Sequence, residues 1–543
     1  MFSAMVSFPA LLLMAPAVAS PVVPAAPLIQ TDELLDASGA RPEAELSPSD
    51  EEVGDQRGAS VLPYGADALG ADATPMTLEQ CLGMALSNNL GLERALIESE
   101  IAQFDAMSSW GAFDWVFDMR GAYTDSESEA NSALAGADVV EQQDARVDLD
   151  LTKPFTWGGS FAFHFDTQQS RTNNQFFNAP ELIQDNVRIS YTQPLFRGRG
   201  VEVQTAQQRE AEIVEQQRRE DRRGARQSLL HDVEVAYWEL VAALQQLQVA
   251  RSGLGLGQEQ VTREEARVRA GDGTEVDVLQ ARTEVATRTE ALLQAENDVE
   301  QREDDLKSLM FADSDPERWD RDIQPRSILP DAAERPDLPD WQRAYEVALA
   351  SRAEIRNARL SVDVSRVQLT RARNDRLHGL DLELIASSNG VDEVYPGALS
   401  DALEFRFPTY TVALNYNVPV QNRRATFAER AARERLRGSQ VALEEAEITA
   451  LADVRRALRE VNYRAQAVAA ADQSLTLARG QLDAEEKRFA ADLTTTFEVL
   501  QFQQTLIEAA STRSRAGVEY AKALVGLKRA QGVVGEAAAD RAR

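Results

Sequence analysis

The chain contains two closely similar stretches 221 residues apart: residues 264–280 read EEARVRAGDGTEVDVLQ and residues 485–501 read EEKRFAADLTTTFEVLQ. The match needs no gap, and in both stretches a short turn interrupts a helical pattern. A repeat this long is neither a solenoid unit nor a propeller blade. We interpret the repeat as the duplication of an ancestral half-protein. This interpretation predicts two structurally similar halves that form two similar sides of one structure.

Apolar residues recur upstream of both stretches with alternating spacings of three and four residues. This spacing is typical of a coiled-coil seam. The seam residues are Leu230, Val233, Tyr237, Leu240, Leu244 and Leu247 in the first half, and Val454, Leu458, Val461, Ala465 and Val468 in the second. We therefore predict long helices over about 203–270 and 424–490, each followed by a turn and a returning helix, over about 274–311 and up to about residue 530.

Shorter helices are predicted before each strand region, over about 77–109 and 341–376. Thr77 and Gln80 have the spacing of a capping box at the start of the first one. Two short helices laid end to end match one long helix, because each residue adds about 1.5 Å. The lengths predict a rod of antiparallel helices with strands at one end and tight turns at the other.

Apolar and polar residues alternate between these helices, as expected for strands with one apolar and one polar face. Four such runs lie in the first half and two in the second, and Pro194 and Pro419 mark the strand exits that lead into the long helices. Runs of roughly 9–11 residues can cross a bilayer as tilted barrel strands. A soluble antiparallel sheet also shows this alternation, so the strands alone leave both interpretations open.

Composition excludes several classes of function. A formal net charge of −31 argues against nucleic acid, whose phosphates need a basic surface. The single cysteine, Cys81, allows no intrachain disulfide, and the three histidines are too far apart in sequence to indicate a metal site. No nucleophile, phosphate-binding or metalloprotease motif is present. We predict no enzyme activity, no metal and no cofactor.

The rest of the chain divides by composition. Residues 1–19 read as a signal peptide ending in Ala-Val-Ala, although the segment before its apolar run has no Lys or Arg. Acidic, Pro- and Ala-rich sequence then indicates disorder. The predicted order is a signal peptide (1–19), a disordered acidic arm (20–75), a first repeat (76–311), an irregular Pro-rich connector (312–340), a second repeat (341–532) and a disordered tail (533–543).

Several motifs in order carry a family resemblance. They are TLEQ at 77–80 with ALSNN at 85–89, QPLFRG at 193–198, VAYW at 235–238, and RAG at 269–271 leading to DVLQAR at 277–282. With the internal repeat, they make residues 76–532 similar to the TolC-like outer-membrane efflux proteins, the outer-membrane channel components of tripartite export systems.

The resemblance implies an α+β membrane protein. Long antiparallel coiled-coil helices would form a periplasmic α-barrel, joined to the strands of a β-barrel shared by a homotrimer in the bacterial outer membrane. The implied partners are outer-membrane lipid, a periplasmic adaptor protein and an inner-membrane pump of the RND or ABC type. The implied function is a passive duct for efflux or type I secretion. The alternative from another class is a non-conducting periplasmic coiled-coil structural protein, which would be extracted without detergent.

The resemblance also implies site residues. The turn residues Gly271, Asp272, Gly273, Asp492, Leu493 and Thr494 would contact the adaptor. Asp277 and Glu498, with Gln280 and Gln501, would form the pore constriction. Six carboxylates from three copies would favour cations there. The alternative for Asp277 and Glu498 is an ordinary solvated helix start, where acids suit the helix dipole.

This sequence departs from the family pattern in three places. Asp492 stands where the family usually has Gly. Thr494 and Phe489 replace the Arg and Tyr that hold the pore closed in well-known members. The first half has room for four strands where the resemblance implies two, and the additional hairpin lies near residues 154–171.

Overall fold

The computed structural model describes residues 73–129, 138–174, 179, 181–330, 332, 338–491 and 493–535. The predicted signal peptide and nearly all of the predicted arm lie outside this part of the chain. Thr74 and Pro75, assigned to the arm, lie in a short strand, β1 (Thr74–Met76). Val533 and Val534, assigned to the tail, have defined contacts: Val534 is buried, and the Val533 amide donates to the Lys528 carbonyl at 3.1 Å.

The first half follows the predicted order of helix, strands and helical hairpin. After β1 come α1 (Leu78–Asn88), α2 (Leu90–Ser109), β2 (Val116–Glu129), β3 (Val139–Pro154), β4 (Ser160–Thr172), β5 (Glu181–Pro194), α3 (Val201–Gln204), α4 (Ala206–Ala270) and α5 (Glu275–Met310). The connector contains α6 (Pro316–Trp319) and β6 (Ile323–Pro325). The second half consists of α7 (Trp341–Ser351), α8 (Ala353–Asp375), β7 (Gly379–Asp392), α9 (Tyr395–Leu403), β8 (Pro408–Asn417), α10 (Arg423–Ala490) and α11 (Thr496–Gln531).

Helices α4 and α5 form the first hairpin, and α10 and α11 form the second. Helix α4 packs against both α5 and α11, and α11 packs between α4 and α10. All the seam residues named above are buried, and Tyr237, Leu240 and Leu244 are fully buried. Full burial of such a side chain contributes roughly 2 kcal/mol. Within the described part of the chain, no helix combines the length and apolar character that crossing a membrane requires.

The predicted short helices are each broken once, which is a correction. Asn89 adopts an extended conformation, and its side chain accepts the Leu92 amide at 3.0 Å, so it ends α1 and caps α2. Arg352 is extended in the same way between α7 and α8. The predicted Thr77–Gln80 capping box is present at the start of α1. Beside the sheet, the helices pack in the order α2, α4, α8, α10.

One antiparallel sheet contains the four strands of the first half and two from the second, in the order β2-β3-β4-β5-β7-β8. One row of residues paired across it is Phe117, Leu151, Phe163, Ile189, Ala386 and Tyr410, and the next row is Asp118, Asp150, His164, Arg188, Ser387 and Thr409. Adjacent rows point to opposite faces because side chains alternate along a strand. The sheet therefore has one apolar and one polar face over its whole width.

The connector is more regular than predicted. Strand β6 pairs in parallel with β1, and this pair is fixed by a buried tyrosine of α4. The Tyr237 hydroxyl accepts the amides of Arg326 at 3.1 Å and Ser327 at 2.9 Å, and it donates to the Met76 carbonyl at 3.2 Å. Cys81 is buried in the same core, and burial raises the pKa of its thiol to about 12.

Helix α9 was not predicted. It packs on β7 and β5, where Ala398 and Ala402 are fully buried against the sheet. Gly390 allows this close approach, because a Cβ there would lie 1.9 Å from the Ala398 carbonyl oxygen. The sequence Tyr395-Pro-Gly reads as a turn, which concealed the helix.

Candidate functional site

The first turn ends α4 and starts α5 within four residues. Gly271 has a φ of +89°, a conformation that glycine adopts at little cost. The Asp272 amide donates to the Arg267 carbonyl at 3.0 Å, which satisfies an end carbonyl of α4. Gly273 has little room for a side chain, since a Cβ would lie 3.1 Å from the Val268 nitrogen.

The second turn reproduces this bonding without the glycines. The Leu493 amide donates to the Arg488 carbonyl at 2.9 Å, the same bond displaced by 221 residues. Ala491 ends α10 with an ordinary φ of −94°. Asp492, the residue aligned with Gly271, lies outside the described residues. Leu493 is exposed, and the Thr494 hydroxyl donates to the carboxylates of Glu485 and Glu498.

Asp277 and Glu498 both occupy capping boxes. Thr274 caps α5, and Asp277 Oδ2 accepts the Thr274 amide at 3.1 Å. Thr495 caps α11, and Glu498 Oε2 accepts the Thr495 amide at 3.2 Å. These bonds are what the helix-start interpretation expects, and they leave the charges in place. Hydrogen bonds from the Thr494 hydroxyl and the Thr495 amide hold the pKa of Glu498 below its ordinary value.

Gln280 and Gln501 lie one turn further along α5 and α11, and both are exposed. Each half therefore presents a carboxylate and an amide on the first turns of its returning helix. The structure thus places Asp277 and Gln280 together at the start of α5, and Glu498 and Gln501 together at the start of α11. These two helices belong to neighbouring hairpins. Chemically, this arrangement offers charge and hydrogen bonding but no nucleophile paired with a base.

Two contacts that the sequence reasoning missed join the hairpins near the turns. Glu264 is only 1% exposed, and its Oε1 accepts the Thr496 hydroxyl of α11 at 3.0 Å and the Gln260 amide at 2.5 Å. The Arg267 guanidinium of α4 lies 4.6 Å from the ring centroid of Phe489, which is buried on α10. Close to the turns, the first hairpin is thus joined to the second by a charged hydrogen bond and a cation–π contact.

A third contact lies deeper between the hairpins. Arg288 of α5 is buried, and its Nη1 donates to the Gly253 carbonyl at 2.8 Å and to Gln503 Oε1 at 3.2 Å. Its Nε donates to Glu284 Oε1 at 2.8 Å. Gly257 leaves space for the guanidinium, because a Cβ there would lie 3.3 Å from Arg288 Nη1.

The seam spacing contained a signal for these residues. Beyond Leu247 the intervals of three and four continue through Ala250, Gly253, Gly257, Gln260 and Glu264, all of which are buried. In the second half the same spacing reaches Ala478, Leu482, Glu485 and Phe489. Close to the turns, therefore, the seam changes from large apolar side chains to small and polar ones.

The two predicted strand exits differ. Pro194 is the last residue of β5 and pairs with Asp381 of β7. Pro419 follows β8, which ends at Asn417, and its carbonyl accepts the Asn422 amide at 3.1 Å. Among the described residues, no group of three or more His, Cys, Asp or Glu side chains could hold a metal ion.

Comparison with known proteins gives a consistent assignment. The sequence profile of the outer membrane efflux protein family matches residues 160–310 and 344–533. Alkaline protease secretion protein AprF of Pseudomonas aeruginosa is 27% identical over 58% of this chain, and the match covers 63% of AprF, less than two thirds of its length. Pyoverdine export outer membrane protein OpmQ of Pseudomonas putida is 26% identical over 75% of this chain and 80% of OpmQ.

The fold agrees with that of solved channels. The crystal structure of the Campylobacter jejuni CmeC outer membrane channel superposes with a TM-score of 0.63 at 15% identity, over 92% of this chain and 98% of CmeC. The family match confirms the predicted location in the outer membrane. AprF is thus a secretion protein, OpmQ an export protein of the outer membrane and CmeC an outer membrane channel. The chain belongs to the outer membrane efflux protein family.

Proposed function

We propose that three copies of this chain close into one passive exit duct for efflux or secretion, driven by an inner-membrane pump through a periplasmic adaptor. The observation that carries the proposal is the position of the open edges. Strands β2 and β8 are the two edges of the sheet, and α2 and α10 are the two edges of the helix layer beside it. Helix α2 leads towards β2, and β8 leads into α10, so each edge of the sheet continues as an edge of the helix layer.

Both edges need a partner. Every residue of β2 is exposed, and so are nearly all residues of β8. In a bilayer an unpaired strand edge is very costly, because no water is present to satisfy its amides and carbonyls. Pairing β2 of one copy with β8 of the next is a head-to-tail contact, which forms a closed ring when the rotation between copies fits.

The two helices at the edges of the helix layer, α2 and α10, both expose apolar side chains. The exposed apolar residues on α2 include Leu90, Ile97, Ile101 and Phe104, and those on α10 are Phe427, Val441, Ile448, Tyr463 and Leu477. Exposed apolar rows of this length mark interaction surfaces. In the proposed ring α2, about 30 Å long, covers the part of α10 nearest the sheet, which carries Phe427 and Val441, so the contact between copies continues from the sheet onto the helices.

The faces of the sheet suit a barrel wall. Its strands contain 10 to 16 residues, against the roughly 9–11 that a tilted transmembrane strand requires. The apolar face would contact outer-membrane lipid, and the polar face would line the lumen.

The turns would form the other end of the duct. Asp277, Glu498, Gln280 and Gln501 are proposed to surround the constriction, where three copies contribute six carboxylates and favour cations. The contacts of Glu264 with Thr496 and of Arg267 with Phe489 would hold the hairpins in the closed state, and opening would separate them. Gly271, Asp272, Gly273, Asp492, Leu493 and Thr494 are proposed to meet the adaptor. Export of pyoverdine by OpmQ and protease secretion by AprF support the assignment to a pump-driven system.

The test is single-channel conductance of the purified protein in a planar bilayer. Asp277→Asn with Glu498→Gln keeps side-chain acceptors in both capping boxes but removes the charges, so folding is preserved. We expect cation-selective conductance in the wild type and reduced selectivity in the double variant. Thr274→Ser with Thr495→Ser keeps both caps and both charges and serves as the control.

The outcomes separate the alternatives. Unchanged selectivity in the charge variant would keep the duct but place its constriction elsewhere. Folded protein that never inserts, and that is extracted from cells without detergent, would favour the non-conducting periplasmic scaffold.

A further inference from the structure

Among the described residues, two strands of the sheet have no helix at either end. Strand β2 follows α2, β5 leads to α3 and α4, β7 follows α8, and β8 leads into α10. Strands β3 and β4 are instead joined to other strands at both ends. They form a hairpin inserted between β2 and β5, and they account for the two strands beyond the family expectation.

The inserted hairpin is fully integrated into the sheet. Its strands contain 16 and 13 residues and pair with β2 on one side and β5 on the other. Leu149, Leu151, Phe163 and Phe165 continue the apolar face without a break. The hairpin therefore spans the bilayer wherever its neighbours do.

Its opposite face carries a network that requires water. The Nδ1 of His164 lies 2.7 Å from Asp150 Oδ1, and its Nε2 lies 3.1 Å from Asp166 Oδ1. Arg146 Nε donates to Asp148 Oδ1 at 2.7 Å. Charged groups in lipid are costly, whereas the interior of a membrane barrel is polar, so this face lines the lumen.

The turn of the hairpin is anchored to the strand exit after Pro194. The Gly200 amide donates to the Trp157 carbonyl at 3.1 Å, and the Trp157 and Phe155 rings stack with their centroids 4.4 Å apart. Gly158 has a φ of +101°, and a Cβ there would lie 2.3 Å from the Gly198 carbonyl oxygen. The turn is therefore built into the junction between strands and helices.

We propose that hairpin β3–β4 sets the size limit for cargo: it widens the membrane section of the duct, so that hydrophilic cargo too bulky for a twelve-stranded barrel passes. The inference rests on the proposed three-copy duct. Three six-stranded sheets make a barrel of eighteen strands, against twelve without the hairpin. Barrel diameter grows roughly linearly with strand number, so the barrel is about 1.5 times as wide.

The wider barrel matches the helix ring beneath it. Three copies of α2, α4, α8 and α10 make a ring of twelve helices. At about 9 Å between axes, its perimeter is about 110 Å. Eighteen strands, spaced about 4.8 Å and tilted about 40°, also span about 110 Å, whereas twelve span about 75 Å. The hairpin thus lets the duct keep its width through the membrane, and the barrel ceases to be a size filter.

Site-specific labelling tests the proposal. Cys81, the single native cysteine, is fully buried, so maleimides should not label the wild-type protein. Ser190→Cys places a thiol on the polar face of β5, and Ile189→Cys, its neighbour, places one on the apolar face. The assembled protein in lipid nanodiscs is treated with maleimide-polyethylene glycols of increasing size. The matched narrow version carries Ser190→Cys with residues 139–172 deleted.

The expected result is labelling of Ser190→Cys by large polymers in the full chain, a smaller size limit in the deletion variant, and no labelling of Ile189→Cys. An equal size limit in both chains would overturn the proposal. If the deletion variant does not assemble, single-particle imaging of the wild type decides between eighteen strands and twelve. Absence of wild-type conductance would contradict the proposed duct, whereas a conducting protein with a twelve-stranded barrel would contradict only this inference.

Discussion

The two hairpins share their frame and differ in their contacts. Helices α5 and α11 have 36 residues each, both start with a capping box, and both turns contain the same amide-to-carbonyl bond. Glu264 and Glu485 are equivalent buried glutamates, yet Glu264 accepts from the opposite hairpin and Glu485 accepts from Thr494 of its own. Arg288 is buried in the first hairpin where the second has Ala509.

This difference shows how near-copies can form a specific pair. Shared caps and seams give two hairpins of the same length and geometry. The unequal residues then join one hairpin to the other, because only the first carries Arg288 and only the second carries Thr496 opposite Glu264. Common ancestry of the halves remains a prediction. The following variants test whether the caps and seams that both hairpins share have a different role from the contacts that only one hairpin makes.

The largest expected effect is that of Arg288→Ala. It leaves the buried Gln503 without its guanidinium partner and opens a cavity, so we expect a loss of about 3 kcal/mol in the free energy of unfolding. Denaturant unfolding of the assembled protein measures it. Arg282→Ala on the same helix is the control, because the exposed Arg282–Glu265 pair at 2.7 Å contributes less than about 1 kcal/mol. Equal losses of unfolding free energy in both variants would show that the buried Arg288 stabilises the protein no more than the exposed Arg282.

Glu264→Ala and Glu485→Ala separate contacts between hairpins from contacts within one. Each removes a buried acceptor and is expected to cost about 2 kcal/mol. Only Glu264→Ala breaks the bond to Thr496, so only this variant should raise the open probability in a planar bilayer. An equal rise in both variants would show that the hairpins are not held closed by the Glu264 contact.

Gly271→Ala is expected to cost about 1 kcal/mol, because a side chain at a φ of +89° is strained. The comparison variant Ala491→Gly, at the residue that ends α10, adds only unfolded-chain entropy and should cost less than about 1 kcal/mol. Thermal unfolding of both variants compares the two turns. A larger loss for Ala491→Gly would mean that the second turn is the more constrained one.

The smallest effect concerns pH. The pKa of Glu498 is lowered in the folded protein, so its stabilising contribution is present above the ordinary carboxyl range and is lost as the pH falls through the folded value. Thr494→Val removes the main cause. We expect the hydrogen-exchange protection factors of the second turn, corrected for the intrinsic pH dependence of exchange, to fall on acidification in the wild type and to change less in the variant. Identical pH profiles would show that the Thr494 bond does not stabilise this turn.

Much of the fold followed from spacing. The seams and turn residues predicted the long helices within about four residues of their observed bounds, since a 3/4 pattern ending in Gly or a capping residue leaves little freedom. The breaks at Asn89 and Arg352 were missed because helical periodicity continues across them. Arg288, Glu264 and Thr496 were missed because their partners are distant in sequence, and pattern analysis expects apolar seam positions. Asp277 and Glu498 have the capping bonds that a helix start implies, whereas their position at a constriction stays a prediction.

The ring itself is the central claim, and hydrogen exchange of the assembled wild-type protein tests it most directly. If β2 of one copy pairs with β8 of the next, the amides of 116–129 and 408–417 will exchange as slowly as those of the inner strands β4 and β5. Fast exchange at both edges, beside protected inner strands, would mean that the edges are unpaired and that the chain does not close into a duct.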